Sequence, residues 1–355
     1  MMVDGTKGNY VISEGREYLD VSGSAMTVGY DFIGRLPSPV SLLVYDNVYT
    51  QELTERLRRL SGFENVAYST SGTEACDAAL SRWDRPIISL EGSYHGLSYL
   101  TFKVSNGSGI DEKNSIVHLK VDARRDSVDN VIDYNEEILK KASRLMDLEG
   151  ATLIVEPIQS DGGIYPLGGE FINYLREKVN EHSLSVIIDE VYTAFGRSGE
   201  IFLFNKMGVD ADMVCIGKGM AAGLPMGAVL YNGDWDLPYH GALSMQGGNM
   251  ATAYAALKVL DFLDQGRLER VRANGEQLIR SLTGLSEYVY EVRGKGYMIG
   301  IDFGGKSDFR PDVADSFRWE LYENGIVATV VGKYNNVLKI TPPLSVSEGE
   351  FKYLE

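Results

Sequence analysis

The chain has 355 residues, 44% of them hydrophobic and 24% charged, which is the composition of a globular protein with length for one large domain or two smaller ones. Thirty-four Lys and Arg against fifty Asp and Glu give a net charge of −16, which opposes binding to nucleic acid or to anionic membranes. No apolar run is long enough to span a bilayer, and the opening MMVDGTKGNYVISEG lacks the basic-then-apolar pattern of a secretory leader, so the expected location is the cytoplasm.

The opening segment, with EYLDVSG at 17–23, is too short to fold alone and is expected to pack on a domain formed by the end of the chain. From about Gln51 to Tyr231 short apolar runs alternate with helical patterns, the signature of βα units around a mostly parallel sheet. The expected strands are NVAYS (65–69), PIISL (86–90), ATLIVEPI (151–158), LSVIIDE (184–190), DMVCIG (212–217) and GAVLY (227–231). Between them GTEACDAALSRW and GEFINYLREKVNEH read as helices, the second with Phe171, Ile172, Leu175 and Val179 at helical spacing. After Asn249 come two long helical stretches, MATAYAALKVLDFLD and LERVRANGEQLIRSL, the second broken by Gly275. YEVRGKGYMIGIDF, a helix near VADSFRWELYENG, and the strand-like GIVATVV and NVLKITPPL complete the chain. The expected architecture is α/β, with a large domain over 41–248 and a smaller α+β domain made of 1–40 with 249–355. Cys76 and Cys215 read as buried thiols, and His95, His118, His182 and His240 are too scattered for metal-ligand spacing, so no metal is expected.

In open α/β sheets ligands bind beyond the carboxyl ends of the strands, so polar residues there are the candidates for chemistry. Lys218 follows the apolar run DMVCIG and lies among Gly217, Gly219, Gly223 and Gly227, which permit tight turns or close approach to a ligand. An ammonium in such surroundings is costly to desolvate; a nucleophile or Schiff-base former suits the position, and a lysine snorkelling to solvent is the alternative. STSGTEA (69–75) runs from a strand through Gly72 into a helix start, where free N–H groups and the helix dipole suit a phosphate. An ordinary N-cap by Ser71 or Thr73 explains it equally well. SVIIDEV ends in Asp189 and Glu190, whose side chains point to opposite faces, so one of them can face a given pocket. A carboxylate held there needs a cation, such as a protonated ring nitrogen, unless it merely caps the next segment. Together these segments offer receptors for a phosphate, a pyridinium and an aldehyde, the three groups that pyridoxal phosphate carries.

STSGTEACDAAL, GSYHG, VEPIQSDGGIYP, IIDEVYTAFGRSG, IGKGMAAGLPMGAV, QGGN, VRGKGYMIGIDF and LKITPPLSVSE occur in that order, and over nearly its whole length the chain resembles the class III aminotransferases. The resemblance implies a fold-type I homodimer with a mostly parallel, seven-stranded type of sheet and active sites at the subunit interface. It implies pyridoxal 5′-phosphate as cofactor, and transfer of an amino group from a small-molecule amine donor to a 2-oxo acid. By resemblance Lys218 is the lysine bound covalently to the cofactor and Asp189 the acid on its ring nitrogen. Val191 then lies under the ring and Tyr94 over it, with His95 beside them. Ser71, Gly72 and Thr73 form the phosphate cup, and Glu156 of VEPIQ stands behind the site.

Several positions depart from the family pattern. Members that act on ornithine, acetylornithine or 4-aminobutyrate carry an arginine where this chain has Leu97. The family's Glu–Arg pair is replaced by Asp161 and Lys339, which reach less far and lose the bidentate fork. Tyr192 stands where a glutamine often follows DEV, and its hydroxyl is expected to reach the cofactor's phenolic oxygen. In HGALSMQGGN the threonine that crosses to the neighbour's phosphate is replaced by Met245, leaving Ser244 as the candidate. The expected activity is transamination of an ω-amino acid or amine, 4-aminobutyrate-like. An ornithine or acetylornithine enzyme is the nearer alternative, an aminomutase or racemase one of another class, and a non-catalytic dimer the third.

Overall fold

The computed structural model describes residues 2–23, 28–42, 45–83, 85–105, 107–121, 127–235, 242–263 and 266–354. His240 and Gly241, at the start of the candidate crossing loop, and Asp264, at the end of the first long helical stretch, lie outside them. The chain opens with three short strands, β1 (Gly5–Lys7), β2 (Tyr10–Ser13) and β3 (Arg16–Asp20). Helix α1 (Val48–Ser61) begins at Asn47, whose side chain accepts the Thr50 N–H, and ends at Gly62 with φ of 81°. Next come β4 (Asn65–Ser69), α2 (Gly72–Leu80), β5 (Ile87–Leu90), α3 (Tyr99–Val104), β6 (Gly109–Asp111), β7 (Ile116–Leu119) and α4 (Val128–Ala142). They are followed by β8 (Thr152–Val155), β9 (Ile158–Gln159), β10 (Tyr165–Pro166), α5 (Gly169–Glu181), β11 (Ser185–Asp189), β12 (Met213–Ile216) and β13 (Gly227–Tyr231). The remainder is α6 (Met250–Leu263), α7 (Arg267–Leu282), β14 (Val289–Lys295), β15 (Met298–Phe303), α8 (Pro311–Glu323), β16 (Ile326–Val327), β17 (Thr329–Val331), β18 (Val337–Ile340) and α9 (Glu348–Leu354).

The largest sheet has eight strands in the order β4-β13-β12-β11-β8-β5-β7-β6. Its centre, β12 to β7, is parallel; β13 runs antiparallel to both β12 and β4, and β6 antiparallel to β7. β4, β5, β7, β8, β11 and β12 therefore point the same way, and their carboxyl ends share one edge. β5, β7, β8 and β12 are buried along their whole length and mostly apolar, with Ser89, His118 and Thr152 the polar residues among them, as strands covered on both faces should be. The short edge strand β6 makes the sheet one strand wider than the seven of the resemblance. The run 151–158 is not one strand: it stops at Val155, and after Glu156 and Pro157 the chain pairs β9 with β10.

Amphipathic helices cover the sheet; α4, capped by Ser127, buries Val131, Ile138, Leu139 and Ala142 on one stripe. Helix α6 is apolar nearly all round because it packs on α1 and on the turn at Lys218–Ala221. Helix α7 runs unbroken through Gly275, contrary to the sequence expectation of a break. The glycine serves a close approach: a Cβ there would lie 2.1 Å from the Gly296 carbonyl oxygen. Two smaller four-stranded sheets complete the molecule, β14-β15-β18-β17 and β1-β2-β3-β16. In the second, β3 pairs parallel with β16, joining the two ends of the chain.

Candidate active site

A cavity of about 350 Å³ opens beyond the carboxyl ends of β4, β5, β8, β11 and β12, a size usual for small-molecule sites. Among its lining residues are Ser71, Gly72, Thr73, Tyr94, His95, Glu156, Asp189, Val191, Tyr192 and Lys218.

Three glycines bring the strand ends together. A Cβ on Gly217 would lie 3.1 Å from the Gly72 Cα and 3.3 Å from Val191 Cγ1, so the end of β12 touches both the start of α2 and the end of β11. A Cβ on Gly72 would meet Val191 Cγ1 at 2.4 Å, and one on Gly227 would meet the Ser71 carbonyl oxygen at 2.4 Å. Lys218 itself sits at φ of 45°, a left-handed conformation that costs free energy in a non-glycine residue and is concentrated at functional sites. Its Nζ lies 4.4 Å from the centre of the Tyr192 ring.

At the start of α2, Ser71 Oγ accepts the Glu74 N–H at 3.1 Å, while the Glu74 carboxylate takes the Thr70 N–H at 2.8 Å. The N-cap expected at Ser71 is thus real. It leaves the amides of Gly72 and Thr73, first in the helix and without intrahelical partners, at the cavity wall.

Asp189 forms the floor. Its Oδ1 accepts the Val191 N–H at 3.0 Å, and its Oδ2 accepts from His95 Nδ1–H at 2.7 Å and from the Cys76 thiol at 3.4 Å. Hydrogen bonding with Cys215, burial and the charge of Asp189 hold the Cys76 thiol well above its usual range, which keeps it a donor. Glu156 accepts the N–H groups of Tyr94 and Ser160 at 2.8 and 3.1 Å. Burial pushes its carboxyl up to about 7, with His95 pulling the other way and Asp189 adding to the rise. Glu190, on the opposite face of β11, turns away and accepts the Phe204 N–H and the Thr193 hydroxyl at 2.6 and 2.7 Å.

The remaining candidates stand apart from the cavity wall. Lys339 Nζ is 3.9 Å from Asp161 Oδ1, a loose pair, and 5.3 Å from the centre of the Tyr192 ring. Leu97 is 71% exposed. Met245 is exposed too, whereas Ser244 Oγ is enclosed without a hydrogen-bond partner. The Tyr192 hydroxyl, expected at the cofactor's phenolic oxygen, donates instead to the Gly23 carbonyl at 2.5 Å. Sequence reasoning did not single out Gly23 or Thr341, and it took Cys76 for an inert thiol. Cys76 lies one turn after Gly72, a spacing that returns a helical side chain to the face carrying the phosphate-cup candidate.

The lining offers a counterpart to each group of pyridoxal phosphate: two free helix-start amides for the phosphate, a buried carboxylate for a ring N–H, and a primary amine for an aldehyde. The profile of the family described as Aminotransferase class-III matches residues 1–354. The chain belongs to this family. It is 28% identical over 325 residues to a diaminobutyrate–2-oxoglutarate aminotransferase of Rhizobium meliloti, covering 79% of this chain and 67% of that protein. It is 27% identical to an acetylornithine aminotransferase of Archaeoglobus fulgidus, covering 99% of this chain and 92% of the relative. A PLP-bound amine transaminase from an uncultivated Pseudomonas species shares the fold, with a TM-score of 0.82 at 24% identity over 99% of this chain and 92% of that one. The protein is accordingly a pyridoxal-phosphate-dependent transaminase of fold type I. Among the described residues no helix of this aminotransferase is long and apolar enough to cross a membrane.

Proposed function

We propose that this aminotransferase takes its amino group from a terminal amine, of an ω-amino acid or an extended amine, and gives it to a 2-oxo acid, with Lys218 and Asp189 carrying the chemistry. The observation that supports this most is the meeting of Lys218, Asp189 and the start of α2 at one cavity. Pyridoxal phosphate, when bound, supplies an aldehyde that condenses with primary amines and a protonated ring that accepts the electron pair of a breaking C–H bond.

The residues of the chain do the rest. The amides of Gly72 and Thr73, with the dipole of α2, hold the phosphate. A carboxylate has about four acceptor sites, and His95, Cys76 and Val191 use three of those on Asp189. The spare one is on Oδ1, which would hold the ring N–H of the cofactor; His95 and Cys76 fix the carboxylate from behind. Val191 and Tyr94, on the cavity wall, would flank the ring. Lys218 Nζ would hold the cofactor's aldehyde and, as a free amine, would take a proton from the substrate carbon and give it back as general base and acid.

For the acceptor, Lys339 is the cation that receives the carboxylate, with Asp161 as its loose counter-ion. The two curated relatives are named for diaminobutyrate and acetylornithine, compounds with a primary amine at a chain end, which supports a terminal amine as donor. Leu97, exposed and uncharged, cannot clamp a donor carboxylate, which favours apolar or extended donors over ornithine.

We also read the working form as a homodimer. Leu97, Tyr99, Phe102 and Met245 are 65–80% exposed apolar side chains, which a second copy about a two-fold axis could cover; Ser244 Oγ, enclosed in the single chain, would have to turn outward to reach the partner's phosphate. Free buried cysteines at 76 and 215 favour a reducing, cytoplasmic compartment. The pairing of β3 with β16 supports grouping 1–40 with 249–355 as a smaller part beside 41–248.

The test is borohydride reduction of the purified protein followed by peptide mass mapping. The cofactor mass should appear on the peptide containing Lys218. Label on another lysine sinks the assignment. A screen of amine donors against 2-oxo acids then tests the substrate reading, which fails if ornithine is the best donor.

A further inference from the structure

We infer that Tyr192 sets acceptor specificity: its ring is a neutral counter-surface shared by Lys218 and Lys339, and its hydroxyl latches that ring to the N-terminal segment at Gly23. The inference rests on the reading above, in which Lys339 receives the acceptor carboxylate.

The ring comes first. Lys218 Nζ and Lys339 Nζ lie 4.4 and 5.3 Å from its centre, both inside the range of cation–π attraction. The only acid paired with Lys339 among the described residues, Asp161, is 3.9 Å away and 41% exposed. A buried carboxylate at position 192 would neutralise Lys339, but it would also compete with the substrate's own carboxylate. The face of an aromatic ring attracts cations without a formal charge, so Lys339 stays available to an incoming anion.

The latch fixes where that face stands. The Tyr192 hydroxyl donates to the Gly23 carbonyl at 2.5 Å and lies 3.5 Å from Thr341 Oγ1. Gly23 has φ of +62°, and a Cβ on it would fall 1.7 Å from Thr341 Oγ1 and 2.4 Å from the Tyr192 hydroxyl, so only glycine fits. Thr341 in turn donates to the Val21 carbonyl from both its N–H, at 2.9 Å, and its hydroxyl, at 3.1 Å. Thr341 is two residues beyond Lys339. The segment that carries the acceptor's cation and the ring that faces it are therefore held by the same stretch, Val21–Gly23.

Two variants separate hydroxyl from ring. Tyr192→Phe keeps the ring and loses the latch; Tyr192→Leu loses both. Hydrogen–deuterium exchange on the cofactor-free protein should show faster exchange for peptides spanning 18–23 and 337–344 in Tyr192→Phe than in the parent. Unchanged exchange in both peptides overturns the latch, whatever the enzyme does. In steady-state kinetics Tyr192→Leu should raise the KM for the 2-oxo acid roughly five- to tenfold, and the KM for the amine donor by less, with Tyr192→Phe between it and the parent. Equal changes in the two constants, or none, overturn the counter-surface. If the parent transaminates no pair in the donor and acceptor screen, the functional reading falls and takes the specificity role with it, while the exchange result still decides the latch.

Discussion

At the floor of the cavity Asp189, His95 and Glu156 are no more than 4% exposed, and every carboxylate oxygen there has a donor. At its rim, apart from the cavity wall, Leu97 is 71% exposed, and Lys339, though itself only 7% exposed, stands 3.9 Å from an acid that is nearly half in solvent. The floor is organised before anything binds, as electrostatic catalysis requires, because dipoles already in place need no reorganisation during the reaction. The rim leaves its charges loosely paired, so a substrate can take over a partner there without leaving a fully buried charge behind. On the proposed reading, reaction type belongs to the first region and choice of substrate to the second.

Changes at the floor should therefore be far more damaging than changes at the rim. Lys218→Ala should abolish the visible absorbance of bound cofactor and cut turnover by about 10³-fold or more, read by spectrum and assay. Retention of both would break the comparison at its root. Asp189→Asn is expected to lose about 10²- to 10³-fold in turnover and to bind cofactor more weakly, since an amide cannot balance a ring N–H⁺; cofactor titration by fluorescence checks the second half.

Glu190, on the other face of the same strand, sharpens the comparison through stability. Burial pushes its carboxyl from 4.5 up to about 7 in the folded chain. Between those values the folded state keeps a proton that the unfolded state has lost, so stability falls as pH rises from about 4.5 to about 7 and is level above. Glu190→Gln cannot titrate, so over that range it should lose less stability than the parent, by up to about 3 kcal/mol in denaturant unfolding. His118, pushed by burial from 6.5 down to about 4, slopes the other way in both proteins and cancels in the difference. The mildest change belongs to the rim: Lys339→Ala should raise the acceptor KM about tenfold while altering the donor KM less. An equal loss in both would make Lys339 a structural lysine.

The parts of the site that could be read in the sequence are those whose signal is local. Lys218 and Asp189 each close an apolar run, and the α2 start follows β4 within three residues, so strand-end logic found them without any knowledge of the sheet order. The eight-stranded order itself leaves no such local trace. β6 and β7 are four residues long or fewer, and β7 contains His118, so neither carried an apolar signal strong enough to notice. Gly275 was misread because helix propensity concerns isolated helices, whereas its lack of a side chain answers to Gly296 across the fold. The Tyr192 hydroxyl was assigned to the cofactor because its partner lies 169 residues earlier in the chain, a contact that no periodicity announces. Cys76 reached Asp189 only once α2 lay against β11.

The pairing of β3 with β16 has a consequence for the order of events during synthesis. Leu19 N–H donates to the Gly325 carbonyl and Val21 N–H to that of Val327, so β3, which pairs at once with β2 on one side, gains its second edge only when about 300 further residues have been made. At the usual 5–20 residues per second a ribosome takes roughly 15 to 60 s to supply them. During that interval the large sheet can form and Lys218 can meet Asp189, but the wall at Tyr192 stays open. On the proposed reading, a nascent chain can thus form its cofactor-binding floor well before the wall proposed to choose an acceptor, and a stall before residue 327 leaves β3 without its partner β16.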